Sequence, residues 1–449
     1  MKIIIAGAGE VGFHLAKLLS FESQDITLID TYKESLAYAD SHLDIRVLKG
    51  DATSVSVLKD AQVEKSDLVI GVTSSETTNI TLCILAKQLG CKRTIARISN
   101  TEFIHHKEDL NFSKLGVDEL ISPEELAATE IQLLLNQSAF NDTYEFESGA
   151  LIMIGVCLPN SAPFVGKMVK EAARIFPELH FMPIAIQRKG TQYTIIPRGD
   201  TEFMKGDQVY FITTKEGVDE LLKLTGKQKT EIKNVMIHGG SKLGYKTARD
   251  LCAKKFNVKL IEKDKEVAMQ LADDLPNALV INADGRIVEV LEEENLEAMD
   301  AFIAVTSNSE TNIMSCLVAK SKNIKKTIAL VENMDYFQLS HTIGIDTLIN
   351  KKLLAANNIF KHIRRGEVVA LTRLNNLNAE ILEFVVKSTS TVNGKIIKEL
   401  DFPRSATIGG VVREGEGVIA LGDFEILEGD RVVVCCLPRA IPKIEKLFL

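Results

Sequence analysis

The chain has 449 residues, which is too long for one ordinary domain, and its 45% hydrophobic and 25% charged residues are typical of a globular protein. Its net charge of −8 argues against a non-specific nucleic-acid binder, and no apolar run is long enough to cross a membrane. We therefore expect a cytoplasmic protein of several domains whose seven scattered cysteines are buried and reduced, and we expect no nucleic-acid partner.

The chain opens with a predicted strand, KIIIA, followed by a glycine-rich turn and a helix. In a dinucleotide-binding turn of the form GxGxxG, the position of Gly7 permits the tight bend and that of Gly9 lets a pyrophosphate approach the backbone. The position of Gly12 lets the helix pack closely on the strand, and the helix N-terminus offers free N–H groups to the anion. The predicted phosphate site comprises Gly7, Ala8, Gly9, Glu10, Val11 and Gly12.

Asp30 ends the next predicted strand, ITLID, where a carboxylate accepts hydrogen bonds from a ribose diol and repels a 2′-phosphate. This favours NAD(H) over NADP(H), with ATP or ADP as alternatives that offer the same diol. Ligands of doubly wound sheets bind at the carboxyl ends of the strands, and later predicted strand ends contribute Asp51, Ala52, Thr73, Ser74 and Arg97. Arg97 is a candidate for phosphate binding, with an intramolecular ion pair as the alternative.

The same order of segments returns about 230 residues later, which is the pattern of a tandem duplication. IAGAGEVGFHLAKLL at 5–19 matches IHGGSKLGYKTARDL at 237–251, and PRGDTEFMKGDQVYFI at 197–212 matches ALGDFEILEGDRVVVC at 420–435. In each copy, strand-like and amphipathic segments alternate first, and short strands with turn signals follow. We therefore predict an α/β protein of two tandem units, each a doubly wound parallel-sheet Rossmann lobe followed by a small α+β lobe.

The predicted lobe boundaries lie where, within each copy, the alternating strand-like and amphipathic segments give way to short strands with turn signals. A polar stretch at 225–233 is the predicted linker, and one helical stretch is expected near the start of each small lobe, in GKMVKEAARI and GKIIKEL. The first Rossmann lobe is placed at 1–140, the first small lobe at 141–225, the second Rossmann lobe at 233–365 and the second small lobe at 366–449.

The second glycine turn departs from the pattern, because Ser241 replaces the middle glycine and Leu330 stands where Arg97 stands in the first copy. A serine side chain adds a Cβ where the backbone must approach a pyrophosphate. The second lobe is therefore either a weaker or altered ligand site or a purely structural lobe. Its candidate residues are Gly239, Gly240, Ser241, Lys242, Leu243, Glu262 and Thr306.

The C-terminal segment of each predicted Rossmann lobe is apolar at helical spacing, EELAATEIQLLLNQ at 124–137 and KKLLAANNIFKHIRR at 351–365. We interpret them as crossover helices that lock lobes together, with ordinary core helices as the alternative.

The sequence gives no sign of catalysis or of a metal site. The eight histidines show no metal-ligand spacing, no Ser/His/Asp grouping can be argued, and His238 is expected to be packed or capped at the end of a strand. Two cofactor lobes without a substrate domain favour sensing over chemistry. The alternative is a soluble NAD-dependent oxidoreductase with a duplicated cofactor domain.

GAGEVG with ITLID, VTSSETTNI, IARI, LGVDELISPEEL and the paired GDQVYFI and GDRVVVC segments resemble the TrkA family, peripheral subunits of Trk-type potassium uptake systems built from two RCK modules. The resemblance implies an NAD(H) or adenine-nucleotide site at the residues named above. It also implies a ring of a homo-oligomer, a dimer or tetramer, on the inner face of the cell membrane beneath an integral membrane potassium transporter. Nucleotide binding would change the shape of this ring.

Overall fold

The structure is a computed structural model of the chain. It describes residues 1–20, 24–100, 102–105, 110–136, 142–173, 180–188, 191, 193–225, 231–333, 336, 344–363, 368–373 and 379–448. Most of the predicted linker at 225–233 lies outside the described residues, as do the last residue of the predicted helix at 124–137 and the last two of that at 351–365.

The first Rossmann lobe forms a six-stranded sheet in the order β3-β2-β1-β4-β5-β6. Its elements are β1 (Lys2–Ala6), α1 (Glu10–Ser20), β2 (Asp25–Asp30), α2 (Lys33–His42), β3 (Arg46–Lys49), α3 (Val55–Asp60), β4 (Leu68–Gly71), α4 (Glu76–Gln88), β5 (Arg93–Arg97), α5 (Glu102–His105), α6 (Phe112–Leu115), β6 (Glu119–Ile121) and α7 (Pro123–Asn136). The paired strands β1–β6 are parallel. Ile3, Ile4 and Ile5 are fully buried, because helices cover both faces of the sheet. The strand order reverses between β1 and β4, and ligand sites of open α/β sheets lie at such a reversal.

The first small lobe is an antiparallel sheet in the order β10-β9-β11-β8-β7. Its elements are β7 (Asp142–Phe146), β8 (Leu151–Cys157), α8 (Val169–Ala173), β9 (Phe181–Gln187), β10 (Thr194–Ile195), β11 (Gln208–Thr213) and α9 (Gly217–Thr225). Phe164, Phe181, Phe203 and Phe211 are buried together in its core.

The second Rossmann lobe repeats the first, with the strand order β14-β13-β12-β15-β16-β17. Its elements are β12 (Asn234–His238), α10 (Lys242–Ala253), β13 (Asn257–Glu262), α11 (Lys265–Asp274), β14 (Ala278–Asn282), α12 (Val288–Glu293), β15 (Ala301–Ala304), α13 (Ser309–Ser321), β16 (Lys326–Leu330), β17 (Thr347–Ile349) and α14 (Lys351–Ile363).

The second small lobe contains a five-stranded sheet in the order β18-β19-β24-β21-β22 and a two-stranded sheet of β20 and β23. Its elements are β18 (Val368–Arg373), β19 (Glu380–Val385), β20 (Lys395–Ile396), β21 (Ala406–Arg413), β22 (Glu416–Val418), β23 (Glu425–Ile426), β24 (Arg431–Cys436) and α15 (Ile441–Phe448). The predicted fold class is confirmed. The helix predicted in GKIIKEL is wrong, because Lys395 and Ile396 pair with β23 and only one tight 3₁₀ turn follows.

Two compact units divide the chain. The first unit contains Met1–Thr129 and Ile349–Ile363, and the second contains Glu130–Leu348 and Arg364–Leu449. The first unit therefore includes α14, which is the last helix of the second Rossmann lobe in sequence but packs on α1. Its buried side chains are Ala355, Ala356, Ile359 and Phe360.

Within the second unit the two small lobes pack on each other through their sheets. A Cβ on Gly409 of β21 would lie 2.6 Å from the Cγ1 atom of Ile212 in β11, so the backbone of one sheet touches the side chains of the other. Five of the seven cysteines are buried, as predicted, whereas Cys157 is exposed and Cys252 is half-buried. None of the helices that the structure describes is long and apolar enough to cross a membrane.

Candidate functional site

The glycine turn of the first lobe joins β1 to α1, and two of its glycines are required by the fold. Gly7 has φ +109°, and a Cβ there would lie 2.9 Å from the backbone nitrogen of Thr73. A Cβ on Gly12 would lie 1.8 Å from the carbonyl oxygen of Gly7. By contrast, a Cβ on Gly9 would meet nothing within 4 Å. The space above Gly9 is therefore open, and the fold alone does not explain the glycine there.

The carboxylate of Asp30 lies at the edge of this turn. One oxygen accepts a hydrogen bond of 2.6 Å from the backbone N–H of Ala8, and the other accepts one of 2.9 Å from that of Tyr32. These two bonds fix the acid at the end of β2, beside the turn. Asp30 is half-buried, so a ligand lying over the turn can reach it.

Asp51 and Ala52 follow β3, on the same edge of the sheet. One carboxylate oxygen of Asp51 accepts hydrogen bonds from the backbone N–H and the hydroxyl group of Thr53, both 2.8 Å long. The backbone hydrogen bond, followed by the hydroxyl one, lowers the pKa of Asp51. Asp51 is exposed and Ala52 is buried, so Asp51 alone of the two presents its side chain at this edge.

Thr73 is held by Asn79, a buried residue that the sequence reasoning missed. The side-chain oxygen of Asn79 accepts hydrogen bonds from the backbone N–H and the hydroxyl of Thr73 at 2.9 and 2.7 Å. Its amide nitrogen donates to the carbonyl oxygens of Thr73 and Arg97. Asn79 therefore ties the end of β4 to the end of β5, while Ser74 stays exposed beside them. The sequence could have indicated its role, because the second repeat has an asparagine, Asn312, at the matching position.

Arg97 is the last residue of β5 and is half-buried. Within the part of the chain that the structure describes, its guanidinium group forms no ion pair or hydrogen bond, so the predicted alternative of an intramolecular pair finds no support there. Glu10, at the start of α1, instead forms an ion pair of 2.8 Å with Lys352 of α14. Val11 is buried, so it can offer a ligand only its backbone.

The second turn has the same backbone as the first. Gly239 has φ +113°, and a Cβ on Gly244 would lie 2.0 Å from the carbonyl oxygen of Gly239. Ser241 caps α10, because its hydroxyl oxygen accepts a hydrogen bond of 3.2 Å from the N–H of Gly244. The same hydroxyl donates to the carbonyl oxygen of Val305 at 2.8 Å. The N–H of Gly244, which a ligand could bind if residue 241 were glycine, is therefore already hydrogen-bonded.

A cavity of about 510 Å³ lies over the second turn, so the serine does not fill it. Its lining residues are His238, Gly239, Gly240, Ser241, Ile261, Glu262, Lys263, Val267, Asp284, Arg286, Thr306, Ser307, Asn308 and Thr311. Gly240, Glu262 and Thr306 are thus brought together as predicted with Gly239 and Ser241. The predicted residues Lys242 and Leu243 do not line this cavity: Lys242 is exposed on α10, and Leu243 is buried beneath it.

Glu262 repeats the arrangement of Asp30. Its carboxylate accepts a hydrogen bond of 2.7 Å from the N–H of Gly240 and one of 2.8 Å from that of Asp264. Thr306 likewise repeats Thr73, because its backbone N–H and hydroxyl donate to the side-chain oxygen of Asn312 at 2.9 and 2.6 Å. The polar frame around the turn is therefore the same in both lobes.

Among the cavity residues that were not predicted as site residues, four carry ionisable side chains: Lys263, Asp284, Arg286 and His238. Arg286 binds Asp284 through two nitrogens, with Nε–Oδ1 and Nη2–Oδ2 distances of 2.9 and 2.5 Å. These hydrogen bonds are the main reason that the pKa of Asp284 falls to about 2. Asp284 matches Asp51 in the repeat, but no motif indicates Arg286 or Lys263.

His238 ends β12 directly before Gly239 and is buried, with 6% of its surface exposed. Its Nδ1 atom lies 3.1 Å from the hydroxyl oxygen of Ser315. Burial lowers the pKa of the imidazole. A Cβ on Gly285 would lie 2.5 Å from the ring, so the imidazole occupies the space that a side chain would need there. His238 is therefore packed at the end of the strand, as expected, and it also forms part of the cavity wall.

Comparison with known families matches both halves of the chain. The family model of the TrkA-N domain matches residues 3–123 and 235–351, which contain the two glycine turns. The family model of the TrkA-C domain matches residues 153–226 and 381–449, which contain the antiparallel sheets.

Full-length relatives and solved structures agree with these matches. The chain is 33% identical to the Trk system potassium uptake protein TrkA of Halomonas elongata, over 100% of this chain and 98% of the relative. It is 32% identical to Trk system potassium uptake protein TrkA homolog 1 of Methanosarcina mazei, over the full length of both. Among solved structures, the GsuK RCK domain shares the fold, with a TM-score of 0.61 at 16% identity, covering 100% of this chain and 94% of that one. The GsuK channel bound to NAD has a TM-score of 0.62 at 16% identity, covering 100% of this chain and 78% of that one.

Proposed function

Because this chain belongs to the TrkA family of Trk potassium uptake systems, we propose that it is a regulatory subunit of a membrane potassium uptake protein and that its Rossmann lobes bind adenine nucleotides as signals. The observation that carries the proposal is the open space above Gly9, bordered by the fixed carboxylate of Asp30. A relative over the full length is named as a potassium uptake protein, and solved structures of GsuK have been obtained with NAD and with ADP.

The first turn supplies the groups that a nucleotide diphosphate needs. The first backbone N–H groups of α1 have no intrahelical acceptor, and the helix dipole favours negative charge at that end. Arg97 adds a cation at the end of β5, and Asp30 is placed to accept hydrogen bonds from a ribose diol. NAD(H) and ADP or ATP share these features, so we propose the adenosine diphosphate moiety as the common ligand element.

The ligand acts as a signal in this proposal and not as a reactant. We propose that the chain forms a homo-oligomeric ring, as a dimer or tetramer, on the inner face of the membrane beneath the transporter. A ligand shifts the shape of such a ring only by its differential affinity for the two states. A typical coupling free energy of ~1–3 kcal/mol would shift the equilibrium between the two ring shapes about 5–150-fold.

Calorimetric titration of the full chain with NADH, NAD, ADP and ATP tests the binding. Asp30→Ala should weaken binding at the first lobe several-fold, because hydrogen bonds between the carboxylate and the ribose diol are lost. Asp25→Ala is the matched control, since Asp25 is an exposed acid at the opposite end of β2 and should leave the affinity unchanged. Equal affinities of the Asp30→Ala variant and the unmodified chain would contradict the assignment.

The competing function is that of an NAD-dependent oxidoreductase. Incubation with NADH and a panel of carbonyl compounds separates the two functions: the regulatory proposal expects binding without substrate-dependent oxidation of NADH. Steady, substrate-dependent turnover would overturn it. Co-purification from membranes that contain the cognate transporter then tests the potassium partner.

A further inference from the structure

The two candidate nucleotide sites differ in charge at the end where the adenosine ribose would lie. In the second lobe Lys263 follows the ribose acid Glu262, and Arg286 lies two residues after Asp284. The matching positions of the first lobe hold the neutral residues Thr31 and Thr53.

Backbone hydrogen bonds establish that these positions correspond. In the first lobe the N–H of Gly50 donates to the carbonyl oxygen of Asp30 at 3.0 Å, and in the second the N–H of Ala283 donates to that of Glu262, also at 3.0 Å. Thr53 lies three residues after Gly50, and Arg286 lies three residues after Ala283, so Thr53 and Arg286 occupy equivalent positions in the two lobes. The two lobes therefore present different side chains from the same backbone.

Both cations of the second lobe line the cavity and are accessible from it. The side chain of Arg286 is 62% exposed even though Asp284 holds it in place. Lys263 is also exposed, and its ammonium group forms no ion pair with any residue that the structure describes. Both oxygens of Glu262 accept backbone N–H groups, which hold its carboxylate at the turn, next to Lys263. The ribose end of this site therefore has two carboxylates balanced by two cations, whereas the first lobe has Asp30 and Asp51 without the two cations.

The phosphate end of the second site changes in the opposite direction. Leu330 replaces Arg97, which removes a cation from the end of the fifth strand of the sheet, and Ser241 uses the N–H of Gly244. Compared with the first lobe, the second lobe therefore has less positive charge on the β15–β16 side of the turn and more on the β13–β14 side. A ligand that suits this site carries extra negative charge on its ribose.

We propose that the second lobe accepts an adenine nucleotide that bears an additional phosphate on the adenosine ribose, the class to which NADPH belongs, and that the first lobe rejects it. This rests on the proposed function, in which both lobes bind adenine nucleotides. A phosphate monoester carries about −1.5 to −2 charges at neutral pH and forms charge-assisted hydrogen bonds with Lys and Arg. At the ribose end of the first lobe it would meet Asp30 and Asp51 instead.

Titration of the full chain with NADPH and NADH tests the proposal, because these probes differ only in the 2′-phosphate. NADH is expected to fill two sites per chain and NADPH one. Lys263→Thr with Arg286→Thr, which copies the first lobe, should lower the affinity for NADPH at least about tenfold, while the affinity for NADH changes less than about threefold.

The reciprocal variant, Thr31→Lys with Thr53→Arg, should create a second NADPH site, and it guards against loss of binding through misfolding. If NADH binds but the preference between the two probes is the same in all three proteins, this inference is overturned and the proposed function stands. If neither of these probes nor ADP binds the unmodified chain, this inference and the proposed binding of adenine nucleotides fall together.

Discussion

Replacing Gly9 with serine should raise the stability of the empty protein and lower its affinity for nucleotides. Gly9 precedes α1, and its carbonyl oxygen accepts the hydrogen bond from Phe13 that begins the helix. Ser241 occupies the matching position, caps α10 and donates to the carbonyl oxygen of Val305. Since a Cβ on Gly9 meets nothing within 4 Å, the new side chain fits and can make both of these bonds.

The two effects have opposite signs and can be estimated separately. A serine cap is a few tenths of a kcal/mol better than glycine, and the loss of glycine's freedom in the unfolded chain adds about 0.4–1 kcal/mol. The gain of about 1 kcal/mol corresponds to a rise in Tm of about 2–4 °C for a unit of this size. The ligand loses one N–H donor to a charged phosphate, a loss of about 1.5–3 kcal/mol, or about 10–150-fold in Kd.

Scanning calorimetry of the empty protein and titration with ADP measure both quantities on the same sample. Ser241→Gly is the matched control, and it should lower Tm slightly and strengthen binding at the second lobe. A fall in Tm for Gly9→Ser would show that the open space is needed by the fold. An unchanged Kd would show that no phosphate approaches the backbone there.

Two further outcomes follow from buried polar residues. Asn79→Ala should destabilise the first lobe by about 1–3 kcal/mol in urea unfolding, because it removes the buried amide that pairs with the partly buried N–H of Thr73 and carbonyl oxygen of Arg97; a loss below the error of the measurement would contradict this role. His238 has a lowered pKa in the folded state, so its stabilising contribution is present above the unfolded value of about 6.5 and is lost as the pH falls below it. His238→Ala, which copies Ala6 of the first lobe, should therefore show a smaller drop in Tm between about pH 7.5 and pH 5.5 than the unmodified chain, and an equal drop in both proteins would refute this.

The architecture of the lobes could be predicted because it depends on patterns within short stretches of sequence. A strand buried on both faces is a continuous apolar run, and the turn after it needs a positive φ at Gly7 and no side chain at Gly12. The duplication then doubles every such signal. The helix wrongly predicted in GKIIKEL shows the limit: an apolar spacing that fits a helix is overridden where the backbone of Lys395 and Ile396 can pair with another strand.

The details of the two sites depend on contacts between distant segments, which no local pattern contains. Arg286 reaches the second cavity because β14 lies beside β13 in the folded sheet, although its partner Asp284 is only two residues away in sequence. The periodicity of residues 351–363 indicates that one face of a helix is buried, but not that α1 covers it. Ser241 was recognised as a change from glycine, yet the hydrogen bond that its hydroxyl donates to Val305 joins it to a separate strand connection.

The position of α14 has a consequence for the order in which the protein can be completed during synthesis. The first lobe leaves the ribosome long before Lys351–Ile363 is made, although this helix belongs to the first compact unit. Until it arrives, the surface of α1 on which this helix packs lacks that cover. Completion of the first compact unit therefore has to wait for translation of the C-terminal half, so a nascent or truncated chain that lacks α14 exposes a face of α1 that the finished chain covers.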